Sequence, residues 1–221
     1  MSGFTRFEVI KTIYETKIIP VFFDTNTEKC IKIIEACHKG GIRVIEFVHR
    51  ADYGIEVFAS VSKYMRSHHP EMIIGAGTIT DAGSAALYMQ YGADFIVSPS
   101  LMEEVAIVCN RKKLLYIPAC GTLTEISKAE SMGAEFIKLF PGSHYKPDFV
   151  SAVKAPCPWT NFIVTGGVEP TEASLKAWFG AGVSAVGMGS KLIGSQFDTA
   201  QDFDTITHKC KACVEIVNKL K

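Results

Sequence analysis

The stretch GAEFIKLFPG (133–142) decides how the chain is read. A glycine suited to ending a helix leads into a short apolar run, and the run breaks at Pro-Gly, so a strand lies between a helix stop and a loop. The same unit returns along the chain as KIIPVFF (17–23), IRVIEFV (42–48), MIIGAG (72–77), DFIVSP (94–99), LLYIPAC (114–120), NFIVTG (161–166) and SAVGMG (184–189), which with EFIKLF (135–140) makes eight runs. Helical patterns at 27–39, 80–90, 122–132 and 171–180 alternate with them. HKGG (38–41), YGAD (91–94), MGAE (132–135) and AGVS (181–184) put glycine where a helix cap belongs. Strands alternating with helices imply a parallel sheet. Eight such units in 221 residues most simply close as an α/β (β/α)8 TIM barrel, with an extra N-terminal helix over about 5–16 and a further helix after the last strand. An open doubly wound sheet would carry G-x-G-x-x-G after its first strand, where this chain has FFDTNTE.

Composition narrows the function. Hydrophobic residues are 48% of the chain and charged ones 21%, an ordinary globular balance, and no linker or low-complexity segment divides it. One domain over 1–221 is expected. The 23 basic and 23 acidic residues cancel, and no dense Lys/Arg run suggests nucleic acid as a partner. The start, MSGFTRFEVI, lacks the apolar core of a secretory signal, and no apolar run approaches the roughly 20 residues of a membrane span. A cytoplasmic location with no membrane partner is the expectation. Seven scattered cysteines read as reduced thiols rather than a disulfide framework. Cys210 and Cys213 form a C-x-x-C without a second ligand pair, which a zinc site would need. His49, His68, His69 and His144 show no metal-motif spacing, so no metal is expected.

In a β/α barrel the chemistry sits at the C-terminal ends of the strands. Alternation puts Phe136, Lys138 and Phe140 on one face of their strand, and Glu46 on a face with Val44, Val48 and the strand-terminal Arg50. If both faces point inward, Glu46 and Lys138 can meet. Three readings of Lys138 are open: an edge lysine whose ammonium reaches water, one half of a buried ion pair, or an amine that attacks a carbonyl while the carboxylate shuttles protons. TGGV (165–168) and GMGSKL (187–192) follow strands seven and eight, where barrel enzymes commonly bind phosphate through free backbone N–H groups. Gly166, Gly167 and Ser190, the last at the cap of a short helix, are the candidates. Arg50 offers a planar fork for a carboxylate or a surface ion pair. Thr78 offers a hydroxyl, although Thr78 or Thr80 would equally serve to start the next helix. Cys120 lies near the end of strand five, with nothing to mark it as an activated thiol.

These residues resemble the class I 2-keto-3-deoxy-6-phosphogluconate/4-hydroxy-2-oxoglutarate aldolases. IIPVFF, GGIRVIEFVHR, IIGAGTI, FIVSPS, YIPACGTLTE, GAEFIKLFPG, FIVTGGV and VGMGSKL follow in family order, and K-x-F-P with E-x-x-x-R and a GAGT turn is a specific combination. The resemblance implies a homotrimeric barrel, free of metal and organic cofactor. Such an enzyme reversibly cleaves a 2-keto-3-deoxy sugar acid phosphate into pyruvate and glyceraldehyde 3-phosphate. It implies a Schiff base on Lys138 and proton transfer by Glu46. Arg50, Thr78 and the turn at Pro99 would hold the pyruvyl carboxylate side, with Phe140 packed near the pyruvyl group. Gly166, Gly167 and Ser190 would take the phosphate. The chain departs from the family pattern at Ala119, Ser100, Gly142 and His49, around the rim where the aldehyde half would be read. Two other readings stand beside it: an aldolase or decarboxylase for unphosphorylated keto acids such as 4-hydroxy-2-oxoglutarate or oxaloacetate, and a non-catalytic phosphosugar-binding barrel.

Overall fold

A computed structural model describes residues 3–194 and 199–220. Among them α1 (Arg6–Thr16) precedes β1 (Ile18–Phe22), and seven further strands follow: β2 (Val44–Val48), β3 (Ile73–Gly77), β4 (Phe95–Ser98), β5 (Leu115–Pro118), β6 (Ile137–Leu139), β7 (Phe162–Thr165) and β8 (Ala185–Met188). The connecting helices are α2 (Thr27–Lys39), α3 (Gly54–His68), α4 (Ala82–Gln90), α5 (Glu103–Lys112), α6 (Leu123–Ser131), α7 (Gly142–Lys154) and α8 (Glu172–Gly180). A short α9 (Ser190–Ile193) and a long α10 (Ala200–Lys219) follow β8. Each strand falls within its expected run, and α2 spans the residues expected for it. The helix expected at 80–90 begins two residues later. Its cap is neither Thr78 nor Thr80 but Asp81, whose carboxylate accepts the Ser84 N–H at 2.8 Å. An anionic cap opposes the positive end of the helix dipole better than a hydroxyl.

Local chemistry sets the other boundaries in the same way. Thr5 and Glu8 form a capping box on α1, and Thr122 and Glu125 form one on α6. The anticipated glycine caps all occupy the left-handed region: Gly41 (φ 91°), Gly92 (96°), Gly133 (84°) and Gly182 (96°). There the chain can turn back toward the sheet without a Cβ clash.

The strands form one parallel sheet in the order β5-β4-β3-β2-β1-β8-β7-β6. Its two ends meet at a bridge between Ala119 and Lys138, where the Cys120 N–H donates to the Lys138 carbonyl at 3.0 Å. The sheet thereby closes into the expected (β/α)8 barrel. Outward-facing residues such as Ile45, Phe47, Ile74, Ile137 and Val164 pack under the helices. Val44, Ile73, Phe95, Leu115, Phe136 and Ala185 fill the barrel itself, and α1 lies across the strand-entry end with Val9 and Ile13 fully buried against them. The interior is therefore solid at the bottom and open to polar side chains only toward the strand exits.

Because Ile13 seals that end, Ile13→Ala is expected to cost about 3 kcal/mol through lost burial and the cavity left behind. Urea denaturation of the variant checks this.

Candidate active site

Alternation along the even strands stacks Val44, Phe95, Phe136 and Ala185 beneath Glu46, Val97, Lys138 and Gly187, the layering typical of such barrels. In the closed ring β2 and β6 stand diametrically opposite. Glu46 and Lys138 therefore reach toward each other across the interior: Lys138 Nζ lies 2.9 Å from Glu46 Oε1 and 3.3 Å from Oε2. Their side chains are 6% and 9% exposed, which rules out the edge lysine reaching into water. Room for the carboxylate comes from β3. A Cβ on Gly77 would stand 2.1 Å from Glu46 Oε1, and one on Gly75 would stand 2.3 Å from the Phe95 ring. The first and third residues of the GAG turn thus have different duties, with only Gly77 facing the charged group.

Beside the pair a cavity of about 370 Å³ opens at the strand exits; Arg50, Phe140, Gly166, Gly167 and Ser190 line it, whereas Glu46 and Lys138 lie next to it without lining it. Five of the seven expected binding residues converge on one space. Phe140 is half exposed, with its ring centroid 5.7 Å from Lys138 Nζ. Gly166 (φ 84°) and Gly167 (φ 78°) make two successive positive-φ steps, a course that glycine takes without strain. A Cβ on Gly167 would also strike Ser143 at 2.7 Å. Ser190 is the first residue of α9 and not its cap, which is Gly189. The loop leaves β8 one residue sooner than the sequence pattern implies.

Thr78 and Pro99 do not line this cavity. They follow the ends of β3 and β4, whose exits are tied together: the Ile79 N–H donates to Val97 O at 3.1 Å, and the Ser98 hydroxyl donates to Ile79 O at 2.5 Å. Thr78 is held at φ 61°, a conformation costly for a β-branched residue and typical of positions the surroundings enforce. His49, at the end of β2, is engaged by Tyr88, with Nδ1 2.8 Å from the phenol oxygen.

Sequence reasoning overlooked Thr165. It ends β7 in the cavity wall and is 7% exposed, and its Oγ1 has no hydrogen-bond partner among the described residues. A Cβ on Gly187 would stand 2.3 Å from that oxygen. The strand alternation that identified Glu46 and Lys138 also places Ile163 and Thr165 inward, so the signal was present. Cys120 offers no competing nucleophile. Burial pushes its thiol up to about 12, and the Glu125 and Glu130 carboxylates add to the effect.

Two outcomes follow from these environments. Lys138→Met leaves Glu46 buried without its counter-ion and is expected to destabilise the fold by about 3 kcal/mol, whereas Glu46→Gln with Lys138→Met recovers most of that loss. A denaturation cycle over the two single variants and the double variant measures it. Burial likewise pushes Cys30, Cys109 and Cys213 up to about 12, and six of the seven cysteines are buried, Cys157 being the exception. Ellman's reagent at neutral pH is expected to modify Cys157 promptly and the other thiols only after unfolding.

Comparison with known proteins agrees with this geometry. The model of the KDPG and KHG aldolase family matches residues 9–209. A 2-dehydro-3-deoxy-phosphogluconate aldolase of Pseudoalteromonas atlantica is 30% identical over 200 residues, covering 89% of each chain. The KHG/KDPG aldolase of Escherichia coli K12 is 27% identical over 203 residues, or 90% of this chain and 91% of that one. A crystal structure of the KDPG aldolase of Legionella pneumophila, with pyruvate captured as a covalent carbinolamine intermediate, is similar at a TM-score of 0.81 and 25% identity, over 91% of this chain and 95% of that one. The chain belongs to the KDPG and KHG aldolase family.

Proposed function

We propose that this protein is a class I aldolase, an aldehyde-lyase that cleaves 2-dehydro-3-deoxy-6-phosphogluconate, or a close 2-keto-3-deoxy sugar acid phosphate, to pyruvate and glyceraldehyde 3-phosphate. The observation that carries the reading is the buried Lys138–Glu46 contact at 2.9 Å beside an open cavity. Two charges kept inside a barrel are a weak source of stability. They make sense where an amine and a proton carrier must act on one carbon.

On this reading the Lys138 amine attacks the substrate's C2 ketone, and the carbinolamine loses water to give an imine. Glu46 carries protons through these steps and takes the proton from the C4 hydroxyl. The C3–C4 electron pair then flows into the protonated imine, releasing the aldehyde and leaving an enamine. Protonation at C3 and hydrolysis return pyruvate and the free lysine. The cycle balances without a metal or organic cofactor. Arg50 takes the carboxylate with Thr78 and Pro99 beside it, and Phe140 covers the pyruvyl group. The N–H groups around Gly166 and Gly167, with Ser190, receive the phosphate. Lys191 lines the same cavity, where it pairs with Glu169 at 3.3 Å. The working molecule on this proposal is a single barrel domain, assembled as a homotrimer in the cytoplasm. No helix among the described residues is long and apolar enough to cross a membrane.

Borohydride reduction in the presence of pyruvate is expected to add one reduced pyruvyl unit to Lys138 and none to Lys138→Ala, as read by peptide mass spectrometry. Absence of the adduct in folded wild-type protein would overturn the imine mechanism. Glu46→Gln is expected to lower kcat by about 10²–10⁴-fold. Comparing kcat/KM for the phosphorylated substrate and 4-hydroxy-2-oxoglutarate tests the phosphate assignment.

A further inference from the structure

Far from the catalytic mouth, at the strand-entry end, two segments bring histidines and carboxylates together. Glu35 and His38 lie one turn apart near the C-terminus of α2. His69 caps the C-terminus of α3, and Glu71 follows it across Pro70 on the way to β3. His38 Nε2 is 2.6 Å from Glu71 Oε1, and the two imidazole centroids are 4.7 Å apart. One ligand atom from each of His38, His69 and Glu71 falls within a set whose members are all within 4.8 Å of one another. Glu35 stands behind them, with Oε1 3.6 Å from His69 Nε2 and accepting the Tyr64 hydroxyl at 2.9 Å.

We propose that His38, His69 and Glu71 form a binding site for a divalent late transition metal of the zinc type, with Glu35 as the outer carboxylate that orients His69. Imidazole nitrogens with a carboxylate are the donor set of such ions rather than of magnesium or calcium. A tetrahedral centre with bonds of about 2.0–2.1 Å needs donors about 3.3 Å apart, so closing the set around an ion takes side-chain shifts of about an ångström. The His38–Glu71 contact opens slightly while the His69 ring draws in. A dication also answers the two carboxylates, Glu35 and Glu71, that the cluster brings together. The donor distribution resembles an outer-layer design as well, because metal-bound histidines commonly hand a second contact to a carboxylate.

Such an ion clips the end of α2 to the α3–β3 connection. It touches nothing in the Lys138 cavity and so adds stability rather than chemistry. The test is a calorimetric titration of untagged, EDTA-treated protein with zinc chloride. The expected result is one ion per chain at micromolar affinity or tighter, weakened about tenfold or more in His38→Ala and in His69→Gln. Cobalt(II) is expected to give visible d–d bands without a thiolate charge-transfer band, which sets the cysteines aside. Zinc is expected to raise the melting temperature of the wild type and not of the histidine variants. Circular dichroism and retained borohydride trapping of pyruvate report that the variants are folded, and Glu71→Gln replaces any that is not. Absence of stoichiometric zinc binding in the wild type, or binding unchanged in the folded variants, would overturn the proposal. Neither result bears on the imine, which the trapping reads separately.

Discussion

The contact between Lys138 and Glu46 crosses the full width of the barrel, and most of the architecture is needed to make it possible. The two residues are 92 positions apart in the chain and sit on opposite strands, so neither a hairpin nor a single βαβ unit can bring them together. All eight strands must be in register first. The register is also anchored at the lysine itself. β6 has only three residues, and its link to β5 runs through the Lys138 carbonyl and the Ala119 bridge. The residue proposed for the chemistry is therefore also the residue at which the sheet closes. A variant that moves its backbone would disturb both.

Such a pair survives only in a space made for it. Below, the apolar layer and the α1 residues Val9 and Ile13 keep water from the strand-entry side, so the charges communicate with solvent only through the mouth. Beside the pair, Gly77 supplies the missing volume for the carboxylate. Gly187 does the same for Thr165. The barrel thus places small residues where polar side chains project and keeps the usual filling by Val, Ile, Leu and Phe elsewhere. The polarity of the interior is then a gradient along the barrel axis, from Phe136 at the bottom to Arg50 at the rim.

The sequence made the strand count, the parallel sheet and the facing of Glu46 toward Lys138 legible, because alternation and helix-capping glycines are local signals. Thr165 obeys the same alternation. It was passed over because the glycines following it carried the attention, not because its orientation was hidden. The cap of α4 was misplaced between Thr78 and Thr80 because several polar residues precede that helix. A preference scale alone cannot tell that Thr78 is bound into the β3–β4 exit while Asp81 is free to turn toward the helix. The cluster of His38, His69 and Glu71 was not legible at all. Its members come from two helix ends that pack only in the folded barrel, and no spacing within one segment announces them.

The two ends of the barrel also differ in how they tolerate change, for a physical reason. At the entry end, side chains meet across helix termini and a short connection, and each is partly exposed to solvent. Altering one leaves a hydrated neighbour, and the cost stays local. At the exit end, Glu46 and Lys138 are almost wholly buried, so removing either strands the other in a low-dielectric interior. A loss of function at the exit is consequently mixed with a loss of stability. Separating the two requires variants that keep the pair's charge balance. A Glu46→Gln change alone leaves Lys138 unpaired, whereas changing the cavity-lining residues Arg50 or Ser190 leaves the pair intact.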